Sequence, residues 1–217
     1  MSVECSMLAI SAERYQALRS NPRGVTDEVI LRQALDHLAV MAFFRKNMSE
    51  AEVLAEIRAS RHHPDSTDDP TMRRQMAELY AREDTLVDAA LARGDRERPF
   101  TLGTNWRYLN EVLADGERSA PLEHFIFSAP RFGEDVGYGP AGLHGLTAVA
   151  AFAAYLDLWS PERFAAAAAA NRAPDLAERL GTDSTTLATL DEQFFLRFKT
   201  FILDASASHA GMLIWMS

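Results

Sequence analysis

Val3 to Ile10 (VECSMLAI) is a short, largely apolar run closed by Ser11, a pattern that predicts a strand leading into a helix over Ala12 to Arg19. Ser11 is placed to cap that helix, since a hydroxyl there accepts from the unpaired amides of the first turn. Asn21, Pro22 and Gly24 end it. With Thr26 as the next cap, Val29 or Leu31, Ala34 or Leu35, Leu38 and Ala42 recur at intervals of three and four up to Lys46, the period of one apolar helical face. Ser49 and Glu52 have the spacing of a capping box, and Met48 and Val53 that of a hydrophobic staple, so a further helix is expected from Glu50 to about Ala59. Arg61 to Thr71 (RHHPDSTDDPT) combines two prolines with polar residues and reads as an exposed connection. Asp69 before Pro70 then restarts helix, over Thr71 to Ala92, and Gly94 ends it.

From Phe100 onward Gly, Pro and aromatic residues become frequent and the periodic segments shorten, which places a subdomain boundary near residues 94–100. Residues 25–92 therefore read as a helical insertion within a single domain of residues 1–217. Asn105 to Leu113 is helical by pattern, with Trp106, Leu109 and Val112 or Leu113 turned inward. His124 to Ala129 (HFIFSA) alternates as a strand does, and Pro130 to Gly145 reads as a glycine-rich loop. Thr147 is placed to cap an apolar helix to Asp157, and Ser160 with Pro161 starts the next helix, through the alanine run. Thr189 and Glu192 form a second capping-box pattern before a helix whose Leu190, Phe194, Phe198 and Phe201 share one face. Core packing is the default reading of this aromatic stripe, with an oligomer contact the alternative for Phe195, which falls off the main face. Met212 to Met216 (MLIWM) is a terminal strand. The fold class is α+β, with Val3 to Ile10, His124 to Ala129 and Met212 to Met216 in one sheet.

Composition removes several classes of partner. Lys plus Arg number 22 against 31 Asp plus Glu, a formal charge of −9, which is the wrong sign for a phosphate-backbone binder, so no nucleic acid is expected. The longest nearly uncharged stretches are broken by Gly and Pro or consist of alanine, short of the roughly 20 strongly apolar residues of a bilayer span, and no membrane partner is expected. Met1 to Leu18 carries Glu4, Glu13 and Arg14 instead of a secretory pattern, which implies a cytoplasmic protein. The single Cys5 allows no intramolecular disulfide and no Cys-based zinc cluster.

The most distinctive candidate for chemistry is Arg131 to Leu143 (RFGEDVGYGPAGL). Its glycines permit positive φ and expose amides, Glu134 and Asp135 supply adjacent carboxylates, and Tyr138 stands between two glycines where its ring is not obliged to pack. The bland alternative is a shape-determining loop with Tyr138 as a lid on the core. Gly137, Gly139 and Gly142 formally match GxGxxG, but Pro140 lies inside the motif and no βαβ frame surrounds it, so dinucleotide binding is not expected. His62, His63 and Asp65 lack a rigidly held third ligand, and neither a metal nor a cofactor is expected. His124, His144 and His209 meet only if the sheet brings their segments together. No GxSxG, HExxH or HxE with CxxC is present.

WRYLNEVL, the GEDVGYGPA loop, LWSPERF and the closing GMLIWMS, in that order, resemble the YfbM-like proteins, a bacterial family of unknown function. The resemblance covers Val3 to Arg19 and roughly Asn105 to Ser217, with GYGPA its most specific element. It implies an α+β fold with a small, mainly antiparallel sheet surrounded by helices, and no established activity. Asn110 stands where such relatives often have His, and Gly142 where they often have Arg. Two functions are then open. One is a non-catalytic binding module for a protein partner or small ligand, using loop 131–143. The alternative is a small-molecule enzyme with a pocket formed by Trp106, Glu134, Asp135, Tyr138 and His144. Trp106, Asn110, Glu134, Asp135, Tyr138 and His144 are the candidate binding residues, no catalytic residue is assigned, and the oligomeric state is left open.

Overall fold

The computed structural model describes residues 3–61, 69–103, 105–114, 121–135, 139–171 and 184–217, except the side chains of 171 and 184–191. The chain divides into two compact units, residues 1–25 with 100–217 and residues 26–99.

The first unit is built on an antiparallel sheet of β1 (Cys5–Ile10), β2 (Phe100–Gly103), β3 (Arg131–Asp135), β4 (Pro140–His144) and β5 (Gly211–Met216), in the order β2-β1-β5-β4-β3. Two of its central strands are the apolar runs legible in the sequence. β1 and β5 pair along their whole length, from Cys5 opposite Met216 to Ile10 opposite Gly211. Strand alternation turns Cys5, Met7, Met212, Ile214 and Met216 into one apolar core. That core is completed by α5 (Trp106–Ala114), α6 (Pro121–Phe127), α7 (Leu146–Asp157), α8 (Pro161–Asn171) and α9 (Ser184–Ala207), while α1 (Ala12–Arg19) follows β1. Leu109, Val112 and Leu113 are all buried in α5, and Phe195 and Phe198 are fully buried in α9. Phe195 stacks on Phe164 with centroids 4.1 Å apart, so its place is in the core and not at an oligomer contact.

Several expectations are corrected. His124 to Ala129 is not a strand: it lies largely within α6, where Leu122, Phe125 and Ile126 are buried at helical spacing. Six residues of apparent alternation fit either period, and the Asn110 side chain decides by accepting from the Glu123 amide at the first turn of the helix, at 2.8 Å. Within the expected loop, Arg131–Asp135 and Pro140–His144 are the antiparallel strands β3 and β4, with Gly139 at φ 97° and its amide donating to Asp135 Oδ1 at 2.8 Å. β2 has no counterpart among the expected strands, because FTLG is too short to show a period and its strand state comes from pairing with β1. α7 begins after Gly145 and not from a Thr147 cap, and α9 begins at Ser184, upstream of the expected Thr189 capping box.

The second unit consists of most of α2 (Pro22–Phe44) with α3 (Glu50–Arg61) and α4 (Pro70–Ala92). α2 starts four residues before the expected Thr26 cap, because Asn21 and Pro22 act as cap and first helical residue and Asn21 Oδ1 accepts from Gly24 N at 3.1 Å. The Ser49–Glu52 capping box forms in both directions, at 2.7 Å for Ser49 N to Glu52 Oε2 and 3.3 Å for Glu52 N to Ser49 Oγ. Asp69 caps α4 through the Thr71 amide at 2.8 Å. Leu31 and Leu35 pack with Val87 and Ala90, and Leu38 packs with Val53 and Ile57. The expected exposed connection lies mostly in residues 62–68, outside the described residues.

Candidate functional site

Trp106 opens α5, and its indole Nε1 donates to the Val3 carbonyl at 3.1 Å, which fixes the ring beside the start of β1. One helical turn later, Asn110 braces α6 by accepting from the Glu123 amide. The two helices enclose a cavity of about 580 Å³. Its apolar wall is Trp106, Phe127, Val3 and Met216, with the Trp106 and Phe127 rings edge to face at 5.8 Å. Asn110, Glu111, Glu123 and Arg107 supply its polar lining. The Arg107 guanidinium lies over the Trp106 ring, 5.4 Å from its centroid. A neighbouring hollow shares Glu123 and Phe127 and adds His124 and Ser128.

Of the residues singled out in the sequence, Trp106 and Asn110 come together on this cavity. Glu134 and Asp135 are exposed at the end of β3, the edge strand, and do not line it. Tyr138 lies outside the described residues. His144 is in the core: it is 5% exposed, its ring stacks on Phe125 at 4.5 Å, and Nε2 meets the Phe125 carbonyl at 2.5 Å. The carbonyl can only accept, so Nε2 carries the proton. Burial holds the His144 pKa below its ordinary 6.5 despite the bond to Phe125, and the charges of His124 and Arg131 lower it further. The described members of the expected enzyme pocket therefore do not converge.

Gly142 is explained by packing. A Cβ there would stand 2.6 Å from Ala129 Cβ and 3.6 Å from Arg131 Nη1, so the paired strand and the end of α6 already fill that space. Arg131 donates to the Pro140 carbonyl at 3.1 Å and lies over Phe127 at 5.7 Å, joining the hairpin to the rim of the cavity.

Arg107, Glu111, Glu123 and Phe127 were not anticipated. Arg107 and Glu111 follow Trp106 and Asn110 on the polar boundary of an amphipathic helix, a signal that was available. Glu123 and Phe127 share a helical face that disappears when their segment is read as a strand. Among the described residues no three His, Cys, Asp or Glu side chains are grouped to hold a metal ion, and no helix is long and apolar enough to cross a membrane.

These features define an α+β protein with an antiparallel sheet and an open cavity between two short helices. The chain belongs to the family described as a domain of unknown function (DUF1877), whose model matches residues 1–178. No curated protein and no solved structure matches it.

Proposed function

We propose that this chain is a non-catalytic binding module whose ligand site is the cavity between α5 and α6. The observation that supports this reading is the cavity itself, which joins an aromatic wall to a few polar side chains in a volume of about 580 Å³, within the range of small-molecule sites. The paired strands β3 and β4 serve as a brace through Arg131, where the sequence suggested the binding surface. The enzyme alternative has less support, because His144 is committed to the core and no described nucleophile and base stand together in the cavity. We further place the chain with the YfbM-like branch of its family on the strength of GYGPA, and read residues 25–92 as an insertion in a single cytoplasmic domain.

The test is a fragment screen by ligand-observed NMR on the full chain, repeated with Phe127→Ala. Phe127 is 47% exposed, so its truncation removes cavity wall more than core. Fragments that bind the native chain and lose binding in the variant support the site. Fragments that bind both equally, or an absence of hits, would remove it.

A further inference from the structure

The inner face of α2 is fixed by Leu31, Leu35 and Leu38, which pack on α3 and α4, and Met41 and Ala42 continue it against the same apolar cluster as Leu38. A helix covered on one side is expected to be polar on the other. The end of α2 departs from this: Val40, Phe43 and Phe44 are 44%, 68% and 68% exposed. Spacings of three and four residues make them one patch, and the two phenyl rings meet edge to face at 5.5 Å. Large apolar side chains exposed together, and not singly, mark a contact surface.

The charges around the patch select its occupant. Asp36 lies two helical turns before Phe43 and therefore on the same flank of α2. Lys46 reaches that flank from the other end, with Nζ 5.7 Å from the Phe43 ring centroid. Neither Asp36 nor Lys46 has an ion-pair partner among the described residues, whereas the neighbouring Arg45 is held by Glu56 at 2.8 Å. The patch thus carries an acid at one end and a base at the other, about equally far from its middle. A partner of a single sign of charge would set like against like at one end, but the same patch turned end for end matches both.

We propose that the outer face of α2 is a self-association surface whose occupant is a second copy of this chain, with the two α2 helices antiparallel about a two-fold axis between Val40 and Phe43. In an isologous pair each flank meets its own counterpart. Asp36 of each copy then faces Lys46 of the other, the Val40 and Phe43 side chains close on each other at the centre, and Phe44 meets His37 on the opposite flank. Three apolar side chains per copy give a small contact of the weak, reversible class.

Sedimentation equilibrium of the full chain from about 1 μM to about 1 mM tests this, a range that covers weak association. The native chain should pass from monomer to dimer, and Phe43→Ser should keep it monomeric with an unchanged circular-dichroism spectrum. Asp36→Lys and Lys46→Asp should each weaken the dimer by about tenfold, because two exposed pairs turn from attraction to repulsion together. An equimolar mixture of those two variants should associate again, since one brings bases to both ends and the other brings acids. A native chain that stays monomeric throughout, or a dimer indifferent to Phe43→Ser, would overturn the proposal. A dimer lost in Phe43→Ser but unaffected by either charge reversal would overturn the antiparallel pairing, and so would two weakened single variants that fail to associate when mixed.

Discussion

Burial decides the chemistry of His144 more than its place after a glycine-rich segment. Its folded pKa lies below the ordinary 6.5, so as pH falls the unfolded chain takes up the proton first. The stability contributed by the neutral ring is fully present above about 6.5 and is lost as pH falls from there toward the folded value. The urea midpoint should therefore drop over the mildly acidic range, and His144→Gln, which keeps an N–H donor but does not titrate, should show a shallower drop over the same range. Cys5 follows the same logic. Burial pushes its thiol up to about 12 against the opposing charge of Arg131, so alkylation at mildly alkaline pH should proceed only as fast as the chain opens. Rapid labelling under native conditions would contradict its position. The sequence showed that Cys5 is single, but neither its burial nor the partner of His144 was legible, since both depend on segments far apart in the chain.

Elements with local grammar were readable. Ser11, Ser49 with Glu52, Asp69 with Pro70 and Ser160 with Pro161 announce helix starts through residues within one turn, and the first three make their expected bonds to backbone amides. Ser160 does the same through Arg163 N at 3.1 Å. Elements defined by distant partners were not readable. β2 exists through β1, the β3–β4 hairpin continues a sheet whose centre lies elsewhere in the sequence, and α6 depends on a cap from α5. The cavity was accordingly half legible: its α5 side was visible in WRYLNEVL, and its α6 side was hidden by the wrong period. Packing at the hairpin gives a prediction at this scale. Gly142→Ala should cost about 1–3 kcal/mol, the range for overpacking a closed interior. Ala129→Gly in the same chain should restore much of the loss by removing the opposing methyl, and denaturant midpoints of the single and double variants would show it.

Across the whole molecule, stability is organised differently in the two units. Among the described residues, the first unit holds a large apolar cluster over the sheet, whereas the second has smaller clusters around Leu35 and Leu38 and a buried ion network around Arg32. Arg32 is 1% exposed. It bonds Glu28 at 2.6 Å, both oxygens of Asp95 at 2.7 and 2.8 Å, and the Glu97 carbonyl at 2.8 Å. Burial alone would pull its pKa down, but the bonds to Asp95 and Glu28 outweigh that and raise it. Arg32→Ala should cost on the order of 3 kcal/mol by leaving carboxylates without their partner, and Arg32→Lys should recover little because an ammonium cannot match the two-pronged bond. Hydrogen exchange over residues 26–99 is the measurement, and unchanged protection there would refute the expectation.

The position of β5 between β1 and β4 has a consequence for how the molecule is made. Residues 5–10 leave the ribosome about two hundred positions before their central neighbour, and from the synthesis of residues 140–144 onward β1 and β4 are nascent strands facing a gap. Until residues 211–216 emerge, the sheet is two fragments with open edges, the form in which unfinished chains attract chaperones. A ribosome stalled anywhere before that strand would hold a chain that proteases should clear quickly, and the arrival of residues 211–216 is the step that joins the two halves of the sheet.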